Sequence, residues 1–198
     1  ERTAAGFALD EDNLADVIRI CTLVDGLPLG IELAAAWVEQ LGSASIAETI
    51  VQHLDFLETS LRDVPQRHRS MRAVFEGSWR LLDEEEAAVL ARCAVFHGGF
   101  GIEAAAAVAG AAADMLDALA AKSLLRRPAA GRYRMHDLLR QFALEKLDDG
   151  EVYARHGAFF LGWLAQQEEA LHGRQARQAV ALLQRDWGNV VQAWHWAS

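Results

Sequence analysis

The sequence predicts a mainly α chain: a helical bundle, then a winged helix-turn-helix with a small β-hairpin, then a C-terminal segment of helical-repeat character. Three observations lead there. Apolar residues recur at helical spacing along most of the 198 residues. Alanine dominates the 52% hydrophobic share, and alanine loses no side-chain entropy in a helix. One short stretch alone, "SLLRRPAAGRYRM", reads as two strands about a turn, and helical patterns flank it on both sides.

The elements follow in order. Residues 13–24 predict a helix that Asn13 can cap, with Leu14, Val17, Ile18 and Cys21 as its apolar stripe. Gly26 can take the left-handed conformation that stops it. Pro28 suits the first turn of the next helix, where a missing N–H is no loss. Ile31, Ala34, Ala35, Val38 and Leu41 mark that helix's buried face, and Gly42 ends it. Ser45 and Glu48 form a capping box for a third helix, lined by Ile46, Ile50, Leu54 and Leu57. A polar, basic connector around Pro65, residues 60–69, ends a first helical domain assigned to 1–60.

The second domain is assigned to 61–149. Ser70 can cap a helix carrying Val74, Phe75, Ser78 and Leu82 on one face. Asp83 and Glu86 make a capping box for "EEEAAVLARCAVF", which the pair Gly98–Gly99 breaks. Two short helices follow, "GIEAAAAVAG" and "AADMLDALAAKS", the latter with Met115, Leu116 and Leu119 inward. Then come strands "SLLRR" and "RYRM", joined by the turn "PAAG", and a helix with Leu138, Leu139, Phe142 and Leu147 inward. This order of elements is that of a winged helix-turn-helix. "DDG" at 148–150 opens the third segment, 150–198, where Phe159, Phe160, Trp163 and Leu164 form one apolar band and a tryptophan-rich stretch forms another. Gly173 and Gly188 separate its pieces, and the helical pattern still runs at Ser198, as in a fragment of something longer.

Composition excludes several functions. The net charge of −9 opposes a phosphate backbone, so no direct nucleic-acid binding is expected of this fragment. No apolar run approaches a membrane span, and the N-terminus lacks the pattern of a signal peptide, so a cytoplasmic location without membrane contact is expected. Cys21 and Cys93 lie far apart in apolar helical patterns and read as reduced, buried thiols. No phosphate-cradling G-x-x-x-x-G-K-[ST] loop occurs, the seven histidines do not cluster at ligand spacing, and no activated serine or cysteine can be assigned. The fragment therefore carries no catalytic residues and no metal site, and no enzyme activity is expected of it.

Two motifs carry a resemblance. "GLPL", Gly26, Leu27, Pro28 and Leu29, opens a helix in the first domain; "MHD", Met135, His136 and Asp137, closes the hairpin of the winged helix about a hundred residues later. Together they resemble the NB-ARC part of the STAND class of signal-transduction ATPases, and residues 67–110 look like its bacterial, multidomain regulator branch. The tail is similar to helices that lead into a tetratricopeptide-like array there. The resemblance implies a regulatory module of an ADP/ATP switch. His136 would contact the phosphates of bound ADP, and Pro28, with Leu27 and Leu29 as neighbours, would shape the base pocket. Asp137 would cap the following helix, with Met135 and Gly26 as structural support. The partners it implies are an N-terminal P-loop domain and a C-terminal repeat domain of the same parent chain, with oligomerisation on activation. Magnesium would accompany the nucleotide in the parent, and no tight nucleotide binding is expected of the fragment alone.

Two other readings remain open at this stage. Residues 114–147 hold seven basic against four acidic residues, which allows a winged-helix DNA-binding module. The tryptophan-rich tail, with Trp187, Trp194 and Trp196, allows a protein-interaction scaffold or adaptor.

Overall fold

The computed structural model describes residues 7–38, 40–58, 70–173 and 176–198. The chain divides into two compact units, Glu1–Leu82 and Asp83–Ser198. The described residues are mainly α, with one small antiparallel sheet among them. The predicted connector, 60–69, lies outside the described residues.

In the first unit, α1 (Leu14–Leu23), α2 (Pro28–Ala35), α3 (Ser43–Gln52) and α4 (Met71–Trp79) surround a core of Ile20, Val24, Leu33, Ile46, Ile50, Leu57, Met71 and Phe75. A 3-10 turn, Leu54–Phe56, buries Leu54. The end of α1 is a left-handed stop, with Asp25 at φ 53° and Gly26 at φ 68°. The N–H of Gly26 donates to Cys21 at 2.8 Å and that of Asp25 to Thr22 at 3.0 Å, which satisfies two terminal carbonyls. Pro28 then opens α2 as predicted, and Ser70 caps α4 by accepting from the Ala73 N–H. Three local expectations differ. Leu14 and Ile18 are exposed, because α1 turns Ile20 and Val24 inward instead. Of the predicted α2 face only Ala34 is buried, since the helix stops at Ala35 and packs through Gly30 and Leu33. A side chain at Gly30 would come within 2.8 Å of Val24 Cβ, so this crossing needs glycine. And α3 begins at Ser43, which places Ser45 inside the first turn, where it cannot form the predicted capping box.

The second unit contains α5 (Glu84–Cys93), β1 (Gly99–Gly101), α6 (Ile102–Ala109), α7 (Ala113–Ala121), β2 (Arg126–Ala129), β3 (Arg132–Arg134) and α8 (Asp137–Glu145). Its sheet order is β1-β3-β2, with antiparallel pairing throughout. This is a winged helix. The predicted Asp83–Glu86 capping box is fully formed. The sequence missed β1, because a three-residue strand bounded by glycine looks like a chain break; Phe100 between the glycines pairs with Tyr133 and is fully buried. The hairpin also shifts: Leu124 and Leu125 are buried before β2 begins, and β2 takes in Pro128, which an edge strand tolerates.

Residues beyond 149 belong to this same unit. α9 (Val152–Gln166) packs on α6, and α11 (Ala176–Ala197) packs on α9 and β1, with the short α10 (Glu168–His172) beside them. The sequence division at 149/150 is not the division of the compact units, and α4 falls in the first unit rather than with the winged helix. Gly188 does not separate pieces of α11, which runs through it. A Cβ there would meet the His97 carbonyl oxygen at 2.9 Å, so this glycine lets helix and loop touch.

Candidate functional site

The α6–turn–α7 pair is the centre of the winged helix. Gly110, at φ 67°, ends α6, and Ala111 and Ala112 complete a three-residue turn. The chain axis then bends by 101° into α7. Two helices near a right angle across a short glycine turn form a helix-turn-helix. The pose of α7 is fixed from both sides. Leu116 and Leu119 are fully buried beneath it. Beyond its C-terminal end, Lys122 donates to Glu86 at 2.6 Å, and the same carboxylate accepts from the Asp83 N–H in the capping box of α5. The Lys122 hydrogen bond, then that from the Asp83 backbone, holds the Glu86 carboxyl below its ordinary value.

The exposed side of α7 carries Asp114 and Asp117 among alanines. Asp117 is tied to the hairpin: the Tyr133 hydroxyl donates to it at 2.6 Å and Arg127 pairs with it at 3.0 Å. Burial first, then the Asp117 carboxylate, pushes the Tyr133 phenol above its ordinary value. Arg127 also lies over the Tyr133 ring, 5.6 Å from its centre. Positive charge therefore gathers on the wing, at Arg126, Arg127 and Arg134, and not on the helix.

The MHD triplet sits where β3 passes into α8. Met135 is buried and His136 half-buried. The expectation that Asp137 caps α8 is corrected. His136 is the N-cap, its Nδ1 accepting from the Leu138 N–H at 3.0 Å, and Asp137 is the first helical residue. An extended backbone at His136 (φ −63°, ψ 137°) aims the ring at its own helix start. An accepting Nδ1 puts the proton of the neutral ring on Nε2, a donor. Asp137 meets the positive end of the α8 dipole and lies 3.9 Å from Arg134, a long pair on the surface. Sequence reasoning missed the histidine because caps are usually short polar side chains.

The GLPL residues are in the first unit. Gly26 and Pro28 are exposed, and Leu27 and Leu29 are half-buried on either side of the α2 start. The two motifs fall in different compact units. Cys21 and Cys93 are free thiols; burial pushes that of Cys93 up to about 12, which makes it unreactive, while Cys21 is half-buried rather than buried. Among the described residues no three histidine, cysteine, aspartate or glutamate side chains come together to hold a metal ion. Among them no single helix is long and apolar enough to cross a membrane.

A second polar centre escaped the sequence reading. Asn189 of α11 is fully buried; its Oδ1 accepts from the His97 N–H at 2.7 Å and its Nδ2 donates to the Gly99 carbonyl at 3.0 Å. The ring of His156, from α9, is buried 3.4 Å from the same oxygen. Burial pulls His156 down to about 4, against a smaller opposing effect of Asn189, and nearby His97 lowers it further. One turn away, Asp186 holds Arg132 of β3 at 2.8 and 3.2 Å, with both side chains mostly buried.

No protein-family model matches the chain, and no solved structure matches it. Among curated proteins it is 32% identical, over 209 aligned positions and 99% of its length, to a protein of Mycobacterium tuberculosis named "Putative HTH-type transcriptional regulator", and equally to one of that name from Mycobacterium bovis. It is also 32% identical over 166 positions to an uncharacterized protein of Mycobacterium tuberculosis. The chain spans about a quarter of the length of the two regulators and 42% of the third protein. The exclusion of direct nucleic-acid contact does not stand beside these relatives. It rested on net charge, an average over the whole chain, whereas a local basic wing can make such a contact.

Proposed function

We propose that this chain is a regulatory, non-catalytic segment of a cytoplasmic transcriptional regulator, and that its helix-turn-helix and wing contact nucleic acid. The observation that carries the reading is the 101° α6–turn–α7 pair followed by a hairpin. The relatives named as HTH-type regulators support it. The geometry favours one kind of contact over another. Aspartates on α7 disfavour reading of base edges, while arginines on the hairpin suit phosphates. Affinity then falls in the non-specific range, roughly 10⁻⁴–10⁻⁶ M at physiological salt. The test is a titration of fluorescent duplex DNA across salt concentrations. R126A/R127A should lower the salt slope by about two contacts, near 0.9 each. No binding at low salt, or a slope that the double variant leaves alone, rejects the contact.

A second reading is favoured by the His136 cap. With Nδ1 accepting from the helix start, the proton of the neutral ring lies on Nε2, a buried nitrogen and a donor of the kind that a phosphate latch requires. With the GLPL and MHD pairing, this supports a segment of a STAND-type switch that closes over ADP held by a P-loop domain of the parent. The test is ADP retained by the purified full-length parent, with H136A against wild type. Retention unchanged by H136A removes this reading.

A further inference from the structure

A cavity of about 90 Å³ opens in the second unit beside the buried Arg132–Asp186 pair. Its walls come from α6, β3, α9 and α11. Phe159 and Trp163 stand one turn apart on α9 and supply an aromatic side. Glu103 of α6 and Arg185 of α11 supply charges of opposite sign. Arg132 and Asp186 satisfy each other at the back. Arg185 donates to Asp186 through Nε, at 3.3 Å, and half of its side chain is exposed. The lining is thus neutral in sum but polarised, with a carboxylate and a guanidinium on different helices and an aromatic surface between α6 and α11.

We propose that this cavity is an effector site for a small zwitterion, an α-amino acid with a short side chain. Arg185 takes its carboxylate, Glu103 its ammonium group, and Phe159 and Trp163 cover the side chain. A lone anion or cation would meet repulsion from one of the two charged groups as well as attraction from the other; a molecule carrying both charges is matched on each side. The cavity is small and opens to solvent, and it has room for an amino acid with a short side chain. A ligand seated there bridges the winged helix and its C-terminal helices, which gives a small molecule a grip on both. The site stands independently of what the wing contacts.

The experiment is calorimetric titration of this chain with L-alanine, L-serine and L-valine, beside L-alaninamide and N-acetyl-L-alanine, which each lack one charge. Thermal melts of the same mixtures give a second readout, since a ligand of the folded state raises the melting temperature. At least one of the three amino acids should bind, and loss of either charge from L-alanine should weaken its binding by ~10-fold or more. E103Q and R185Q should each weaken the amino acid, and E103Q, at an exposed residue, should leave the ligand-free melt in place. Silence from all three amino acids in both measurements overturns the proposal. So does an amide that binds as tightly as its parent acid, or tight binding retained by both variants.

Discussion

Lowering the pH from 7 to 5 should destabilise the second unit through His156. This ring is 1% exposed, packed 4.7 Å from Phe160 and 5.6 Å from Phe96 between ring centres, and held down to about 4. In the unfolded chain it titrates near 6.5. Between these values the unfolded state binds a proton that the folded state refuses, so stability rises with pH there and is lost as pH falls. At pH 7 the contribution is almost fully present; at pH 5 about 2 kcal/mol of it is gone, from 1.36 kcal/mol per unit over the titrated range. His97 is also lowered, by burial first, and adds to the loss with the same sign. The lowered carboxylates, Glu86 and Asp149, act only at lower pH, because their stabilisation is lost as pH falls below the ordinary carboxylate range. The pH 5–7 window therefore isolates histidine. The assay is urea unfolding by circular dichroism at several pH values, with H156F beside wild type. Phenylalanine keeps the ring contacts and cannot titrate, so its curve should be flatter by about 2 kcal/mol over the window. A wild-type stability that is level from pH 7 to 5, or an H156F slope equal to wild type, would refute the reasoning.

Three further outcomes are expected. N189L should cost the second unit about 2–4 kcal/mol in urea unfolding, because the His97 N–H and the Gly99 carbonyl both lose their partner; a cost below ~0.5 kcal/mol would mean that water replaces the amide. D83A should cost about 1 kcal/mol by breaking the capping box, and amide exchange should rise first in the opening turn of α5; unchanged protection there counts against the cap. G188V should destabilise by about 1–3 kcal/mol, since its Cβ enters the space of the His97 backbone, and a melt equal to wild type would show that the loop yields freely.

Much of this architecture was legible in local signals. The Ser70 cap, the Asp83–Glu86 box, Pro28 at a helix start and the left-handed Gly26 all depend on neighbours within a few residues, and the structure has each of them. What failed depends on distant partners. Periodicity in α1 left the choice of face open, because Leu14 and Ile18 are as apolar as Ile20 and Val24; tertiary packing decides between them. β1 is a strand only because β3 lies beside it. Of the candidate site, the location of His136 at the strand-to-helix junction was readable, while its capping role was given to Asp137. The Asn189–His156 centre gave no motif at all, since its members are 33 residues apart in sequence and meet only when α9 and α11 pack.

That centre bears on how the C-terminal helices serve the winged helix. An apolar seam would let α11 slide along the sheet at modest cost. Here Asn189 has one position that satisfies both the His97 N–H and the Gly99 carbonyl, and Asp186 has one that meets Arg132 through two hydrogen bonds. A displacement of a single turn would strand buried polar atoms, each at about 1–3 kcal/mol. The seat is thus specific in register, and Gly188 between the two polar residues permits the close approach it needs. Both fastenings land on the β1–β3 pair rather than on α7. Under the proposed regulatory reading, motion of α11 reaches the wing directly through Arg132, whereas α7 keeps its own anchor at Glu86 and Lys122. The physical criterion is a differential one. D186N should loosen the wing while leaving α7 in place, so amide exchange should rise in β3 and stay protected at Leu116 and Leu119. Equal loosening of both would mean that the winged helix responds as one block, and that the route through Arg132 carries nothing of its own.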